Sequence, residues 1–234
     1  MWAVVPIKDM TEAKQRLGTM LRPDERRGLF QAMAEDVVEI LSSVSALDGV
    51  MIVSGDPFAE RLSRRYGTRL LYEKEQQGHT AAVAHAARVL SEEGADGMLQ
   101  LPGDVPLVSV AEIHQVLHAH GPAPAMTIVP SRDEKGSNCI LCSPPAVIPL
   151  TFGDNSFYPH LETARRHGLH PHIVTLPGIG LDIDMPDDLR WLLRQKLSHR
   201  TGRFLIESGI AEGFMTTIPA LQIDRDAGKG KSHR

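Results

Sequence analysis

The side chains with the most chemistry in this 234-residue chain are carboxylates set in apolar surroundings. In "GLDIDMPDDL" Asp182 and Asp184 stand two positions apart inside an apolar run that then turns through Pro186. Read as a strand, this spacing puts both side chains on one face, where they repel each other unless a cation or a dense set of donors compensates them. A third carboxylate, Asp104, ends the apolar stretch of "LQLPGDVPLVS" in a Gly and Pro turn. Two of the three also have structural readings: Asp104 as a turn aspartate bonding its own backbone, and Asp184 as a helix N-cap with Pro186 in the first turn. Asp182 has none, because it interrupts an apolar run with no helix start to cap. Should the three converge, they form a hard-cation site, and magnesium held in this way is commonly shared with substrate phosphates. Matching positive charge stands near the N-terminus, where "VPIKDMTEAKQRLG" carries Lys8, Lys14 and Arg16 around a polar turn. A triphosphate needs such charge. The stretch is neither a P-loop nor a dinucleotide fingerprint, since it has no G-x-x-x-x-G-K-[ST] and no G-x-G-x-x-G.

The elements that must position these residues follow an alternating pattern. "WAVVPI", "GVMIVS", "TRLLY", "GMLQL" and "AMTIVP" read as strands. Between the first two, Phe30, Met33, Val37 and Leu41 recur at helical spacing; further helices are expected from Pro57 to about Tyr66 and from about Thr80 to Leu90. A fourth starts at "SVAE", where Ser109 and Glu112 fit a capping box. This order implies an α/β fold with a mostly parallel central sheet and helices on both faces, which binds ligands beyond the carboxyl ends of its strands. After Pro130 the rhythm changes. "CILCS", "HPHIVTL" and "GLDID" are expected to add strands, and helices are expected from Phe157 to His167, over "PDDLRWLLRQKL" and over "RFLIESGI". The expected organisation is one domain over residues 1–225, followed by a disordered basic tail at 226–234 that includes "AGKGKSHR".

The balance of 25 basic against 29 acidic residues, net −4, argues against nucleic acid or an anionic membrane as partner. No long apolar run or signal-like start is visible, so a cytoplasmic protein is expected. Cys139 and Cys142 form a C-x-x-C, but no second pair completes a zinc site, and an odd separation on a strand sends the thiols to opposite faces. They read as core thiols. "HGLHPH" reads as a helix end and a strand start rather than a metal site, because no carboxylate stands beside it.

Taken together, "VPIKDMTEAKQRL", "LPGDVPLVS", "KGSNCIL", "FGDNSFYPH" and "GLDIDMPDDL" resemble, in order and spacing, the 2-phospho-L-lactate guanylyltransferase family of deazaflavin coenzyme F-420 biosynthesis, over Trp2 to about Leu193. The resemblance implies a nucleotide-diphospho-sugar transferase type of fold. It also implies transfer of GMP from GTP to 2-phospho-L-lactate, phosphoenolpyruvate or 3-phospho-D-glycerate, with release of diphosphate. On this resemblance Asp104, Asp182 and Asp184 match the magnesium ligands, and Lys14 and Arg16, with Asp104, the catalytic set. Lys8, Lys14, Arg16, Gly78, Thr80, Pro102 and Gly103 fall at the nucleotide, and Asn138, Gly153 and Ser156 at the acid. Thr80 replaces the asparagine expected in "QQGHTAAV", and Asp154 and Asn155 replace the usual proline and glycine of "FGDNSF". These two polar side chains incline the reading toward a hydroxylated acid, 3-phospho-D-glycerate. Alternatives are a cytidylyltransferase or molybdenum-cofactor guanylyltransferase of the same fold, a glycosyltransferase, or a non-catalytic nucleotide-binding protein. The oligomeric state is left open, a homodimer being one option.

Overall fold

The computed structural model describes residues 1–8, 14–73, 78–195 and 199–216. Its first half builds one strand and one helix in turn: β1 (Trp2–Pro6), α1 (Pro23–Ser43), β2 (Gly49–Ser54), α2 (Pro57–Tyr66), β3 (Arg69–Tyr72), α3 (His79–Glu92), β4 (Met98–Gln100), α4 (Val110–Ala119) and β5 (Ala125–Pro130). The helix starts are written locally. Asp56 accepts from the Phe58 N–H ahead of Pro57, and Ser109 with Glu112 closes a capping box at α4. The second half adds β6 (Ser137–Ser143), α5 (Phe157–Arg166), β7 (His172–Ile173), α6 (Pro186–Leu192), α7 (Arg200–Glu207) and α8 (Ile210–Thr216).

All seven strands join one sheet in the order β3-β2-β1-β4-β6-β5-β7. Among the described residues β6 alone runs against its neighbours, and the other pairings are parallel. Alternate side chains of each strand feed two cores. Ala3, Val5, Val50, Ile52, Cys139 and Leu141 pack toward α1, α2 and α4, while Val4, Met51, Val53, Ile140 and Cys142 pack toward α3 and α5. The two cysteines therefore lie buried on opposite faces, and burial pushes the Cys142 thiol up to about 12 and that of Cys139 higher still. A third core joins Leu29 and Met33 of α1 to Leu181, Ile183, Leu189, Leu205 and Phe214, so the C-terminal helices close over the aspartate segment.

Three expectations are corrected. "GLDID" is not a strand: residues 181–184 lie outside the sheet, anchored where the Ile183 N–H donates to the Asp104 carbonyl at 3.0 Å. "HPHIVTL" pairs only at His172–Ile173. Asp184 does not cap α6: the N-cap position is Met185, and Asp188, inside the first turn, accepts from the Met185 N–H at 2.8 Å. The helix α8 was not expected from the sequence, and the tail at 226–234 lies outside the described residues.

Candidate active site

The carboxyl ends of the parallel strands and the start of the reversed strand β6 meet at one edge of the sheet. Lys8 follows β1, Asp104 follows β4, and Asn138 opens β6. Gly103 is buried against α1, where a Cβ would stand 3.3 Å from that of Ala34, so the Pro102–Gly103 turn brings Asp104 close over the helix. The bond from Ile183 N–H to Asp104 C=O then brings the 181–184 segment to the same place.

Lys14 stands at the centre. It adopts a left-handed backbone (φ 53°) at the head of the 3-10 turn Gln15–Leu17, an uncommon conformation for a residue with a Cβ. Its side chain is only 5% exposed, and its ammonium donates to Asp104 and, at 2.5 Å, to Asp184. Burial pulls the Lys14 pKa down, but the two carboxylates more than offset this and hold it above the ordinary lysine value. Burial acts on Asp184 in the opposite sense and is outweighed by Lys14 first and then by Arg16 and Lys8, so its carboxyl lies below the usual range. Asp182 is the uncompensated member. Burial and the Asp104 charge push it up to about 6, against a 3.0 Å hydrogen bond from Asn138 Nδ2.

The donor set suits a hard cation. Every candidate ligand is a carboxylate oxygen, and Asp104 Oδ1 is buried without a hydrogen-bond partner among the described residues. Among the described residues no group of three or more His, Cys, Asp or Glu side chains is placed to hold a metal ion as it stands, and the Lys14 ammonium lies between Asp104 and Asp184.

The other residues expected at the site fall into two groups. Of those expected at the nucleotide, Lys8 and Gly78 line a cleft together with Ile7, Val53 and His79. Gly78 has φ 94° and heads α3, a turn that favours glycine. Thr80 Oγ1 accepts from the Phe152 N–H at 2.9 Å, so its hydroxyl is committed to the 150–156 loop. Arg16 also crosses over: it makes two 3.0 Å bonds to Asp154 and lies 4.0 Å from Asp184. Of those expected at the acid, Asn138 donates to both Ile179 C=O and Asp182, which makes it a positioning group for that carboxylate. Ser156 is buried; its Oγ accepts from the Ser137 N–H, and the Phe157 N–H donates to Lys135 C=O, joining the loops before β6 and before α5. Gly153 is open, with nothing within 4 Å of where a Cβ would stand.

Sequence reasoning missed the buried strut between these sides. Gln100 Nε2 lies 3.2 Å from His79 Nε2, His79 packs edge-on to Phe152 at 4.5 Å, and Phe152 to His160 at 5.1 Å. The Thr151 N–H donates to His160 Nε2, so Nδ1 carries the proton and faces Ser137 Oγ at 2.9 Å. Burial drops both imidazoles to about 4, His79 with help from Lys8, and keeps them neutral. A glutamine inside the apolar strand "GMLQL" was the available signal.

The family model for guanylyl transferase CofC-like proteins matches residues 1–219. A phosphoenolpyruvate guanylyltransferase of Rubrobacter xylanophilus is 37% identical over 188 residues, 80% of this chain and 91% of that protein. A 3-phospho-D-glycerate guanylyltransferase of Colwellia psychrerythraea is 29% identical over 189 residues, 81% and 89% respectively. Among solved structures, a chain from Desulfovibrio desulfuricans G20 described as a nucleotide-diphospho-sugar transferase superposes with a TM-score of 0.71 at 18% identity, covering 91% of this chain and 97% of its own, a likeness of fold. With its carboxylate edge, its mostly parallel sheet and a family match over nearly its whole length, the chain belongs to the guanylyl transferase CofC-like family.

Proposed function

We propose that this protein transfers GMP from GTP to a small phosphorylated carboxylic acid and releases diphosphate, as a step of coenzyme F-420 biosynthesis, with magnesium as its cofactor. The observation that carries the reading is the Lys14 ammonium held between Asp104 and Asp184, with Asp182 beside them, at the edge where such sheets bind nucleotides. When bound by these three carboxylates, magnesium supplies charge neutralisation and alignment of phosphates.

The chain's own residues do the rest by position and charge. A phosphate oxygen of the acid forms the new bond to the α-phosphorus of GTP. The bond from that phosphorus to the bridging oxygen breaks, and diphosphate leaves with the electron pair. A phosphate monoester with a second pKa near ~6 is mostly dianionic at neutral pH, so no side chain need remove a proton. Neutral His79 and His160 accordingly serve as packing and hydrogen-bonding groups. Lys14 offsets triphosphate charge, and Arg16, on the exposed side of the cluster, offsets charge on the leaving diphosphate.

Phosphoenolpyruvate is the acid we place first. The Asp154 carboxylate is engaged by Arg16, which weakens the argument for a polar group waiting for a substrate hydroxyl. The relative from Rubrobacter xylanophilus, the more similar of the two reported above, also carries the phosphoenolpyruvate name. The test is diphosphate release from each of GTP, ATP, CTP and UTP with each of the three acids, and product mass to confirm the new phosphoanhydride. Turnover of GTP with phosphoenolpyruvate supports the reading, and absence of GTP turnover with all three acids overturns it.

A further inference from the structure

The cleft beyond β1 and β2 has a shape and polarity that the chemistry above does not use. Ile7, Val53 and Ala82 give it apolar walls, and Glu73 lines it from the end of β3. Glu73 is fixed in place by the sheet, since its backbone N–H continues the ladder to Ser54 C=O at 3.2 Å. Burial raises the pKa of its carboxyl, with His85 acting against the shift. Lys8 connects the cleft to the carboxylate cluster: it lines the cleft, and its charge acts on both His79 and Asp184. A nucleotide with its base in the cleft therefore has a path past Lys8 for its phosphates. His79, kept neutral, adds no positive charge to the wall.

Resting on the guanylyl-transfer reading, we infer that Glu73 is the residue that selects guanine, its carboxylate accepting from N1–H and the N2 amino group of the base. An ionised carboxylate is acceptor-only and can take two parallel N–H bonds. Guanine alone of the four bases presents two adjacent donors on its pairing edge. Adenine and cytosine place a lone pair at the ring nitrogen facing the carboxylate, and uracil has a single donor between two carbonyls. A partly desolvated carboxylate set against those edges is left unpaired, which rejects the wrong base far more strongly than shape does.

The experiment compares binding of GTP, ITP and ATP by calorimetry, with diphosphate release in parallel, for the wild-type protein, Glu73→Gln and Glu73→Ala. ITP keeps N1–H and the carbonyl but lacks the N2 amino group. The wild type is expected to favour GTP over ITP by roughly 10- to 100-fold, the scale of one hydrogen bond to a charged group. Glu73→Ala should bring that ratio close to one, Glu73→Gln should fall between, and the KM for the acid should stay unchanged in both. Circular dichroism and melting temperature establish that the variants are folded, and Glu73→Asp, which keeps the charge on a shorter arm, serves if Glu73→Ala is not. If the wild type prefers guanine and the folded variants keep its GTP-to-ITP ratio, the assignment of Glu73 falls alone. If the wild type prefers another base, the guanylyl reading falls and the assignment with it.

Discussion

Asp36 and Asp104 are both charged groups in the interior, and they are treated in opposite ways. Asp36, on α1, is 4% exposed and has both oxygens occupied, accepting from Arg200 N–H, from Thr201 N–H and Oγ1, and from His199 Nδ1. It thereby stands in for the side-chain cap that α7 does not supply from its own N-cap, His199. Asp104, 19% exposed, spends one oxygen on Lys14 and leaves the other buried and unpaired among the described residues. The first arrangement is complete without a ligand and fastens α7 to α1. The second carries an unused acceptor next to a carboxyl, Asp182, that burial and charge have already pushed up to about 6. Saturation, rather than burial or charge, separates the fastening carboxylate from the one with a valence to spare.

Replacing Asp182 with Asn tests this division most severely. Guanylyl transfer should fall at least ~100-fold, the scale for losing a transition-state charge contact, while the melting temperature holds or rises because a poorly compensated charge is removed. Retention of most of the rate at saturating magnesium would break the comparison. Lys14→Ala should come next, raising the KM for GTP by roughly 10- to 100-fold and that for the acid much less; equal rises in steady-state kinetics would move Lys14 away from the nucleotide.

Asp36→Asn should act on stability and not on chemistry. Urea unfolding should report a loss of about 1–2 kcal/mol, with kcat and KM of the folded protein unchanged. The pH dependence has a definite sign. Burial acts to raise the Asp36 pKa, but the bonds from His199 and Thr201 outweigh it and hold it below the ordinary 3.8. The carboxylate therefore contributes stability above the unfolded-state value, and that contribution fades as pH drops through the folded one. The gap between wild type and Asp36→Asn should accordingly narrow below pH 3.8. The smallest effect belongs to Arg16 and Asp154, 53% and 77% exposed. A double-mutant cycle on these two should return a coupling below about 1 kcal/mol, shrinking in high salt.

What the sequence disclosed was mostly local. The Pro57 and Ser109 helix starts, the β-α order and the opposite facing of Cys139 and Cys142 depend on near neighbours and appear where expected. The convergence of Asp104 with Asp184 was expected from two strand ends sharing an edge, and it occurs although only Asp104 follows a strand. What was hidden depends on contacts across the chain. Period-2 alternation at 180–184 suggested a strand, yet one backbone bond to Asp104 gives the segment its place without a ladder. The helix begins one residue later than Asp184, at an N-cap of Met185 whose N–H is taken by Asp188, while Asp184 pairs with Lys14. Thr80 with Phe152 and Arg16 with Asp154 join residues far apart in sequence, which no periodicity announces. Asp36 did leave a trace: an aspartate between Met33 and Val37 on the buried side of α1 asks for a partner, though not which one.

The reversed direction of β6 has a practical corollary. This strand begins at the edge where β1 and β4 end, and the groups expected at the acid, Asn138, Gly153 and Ser156, all fall on one uninterrupted length of chain, about 131–156. The groups expected at the nucleotide fall before it and Asp182 and Asp184 after it; besides the β6 ladders to β4 and β5, its bonds to the rest include those to Arg16, Thr80, Ile179, Gly180, Asp182 and Asp188. That length is thus a natural cassette. Transplanted between relatives named for different acids, with Arg16 and Thr80 carried along to match, it offers a test of whether the acceptor is exchanged while the rest of the sheet is left as it was.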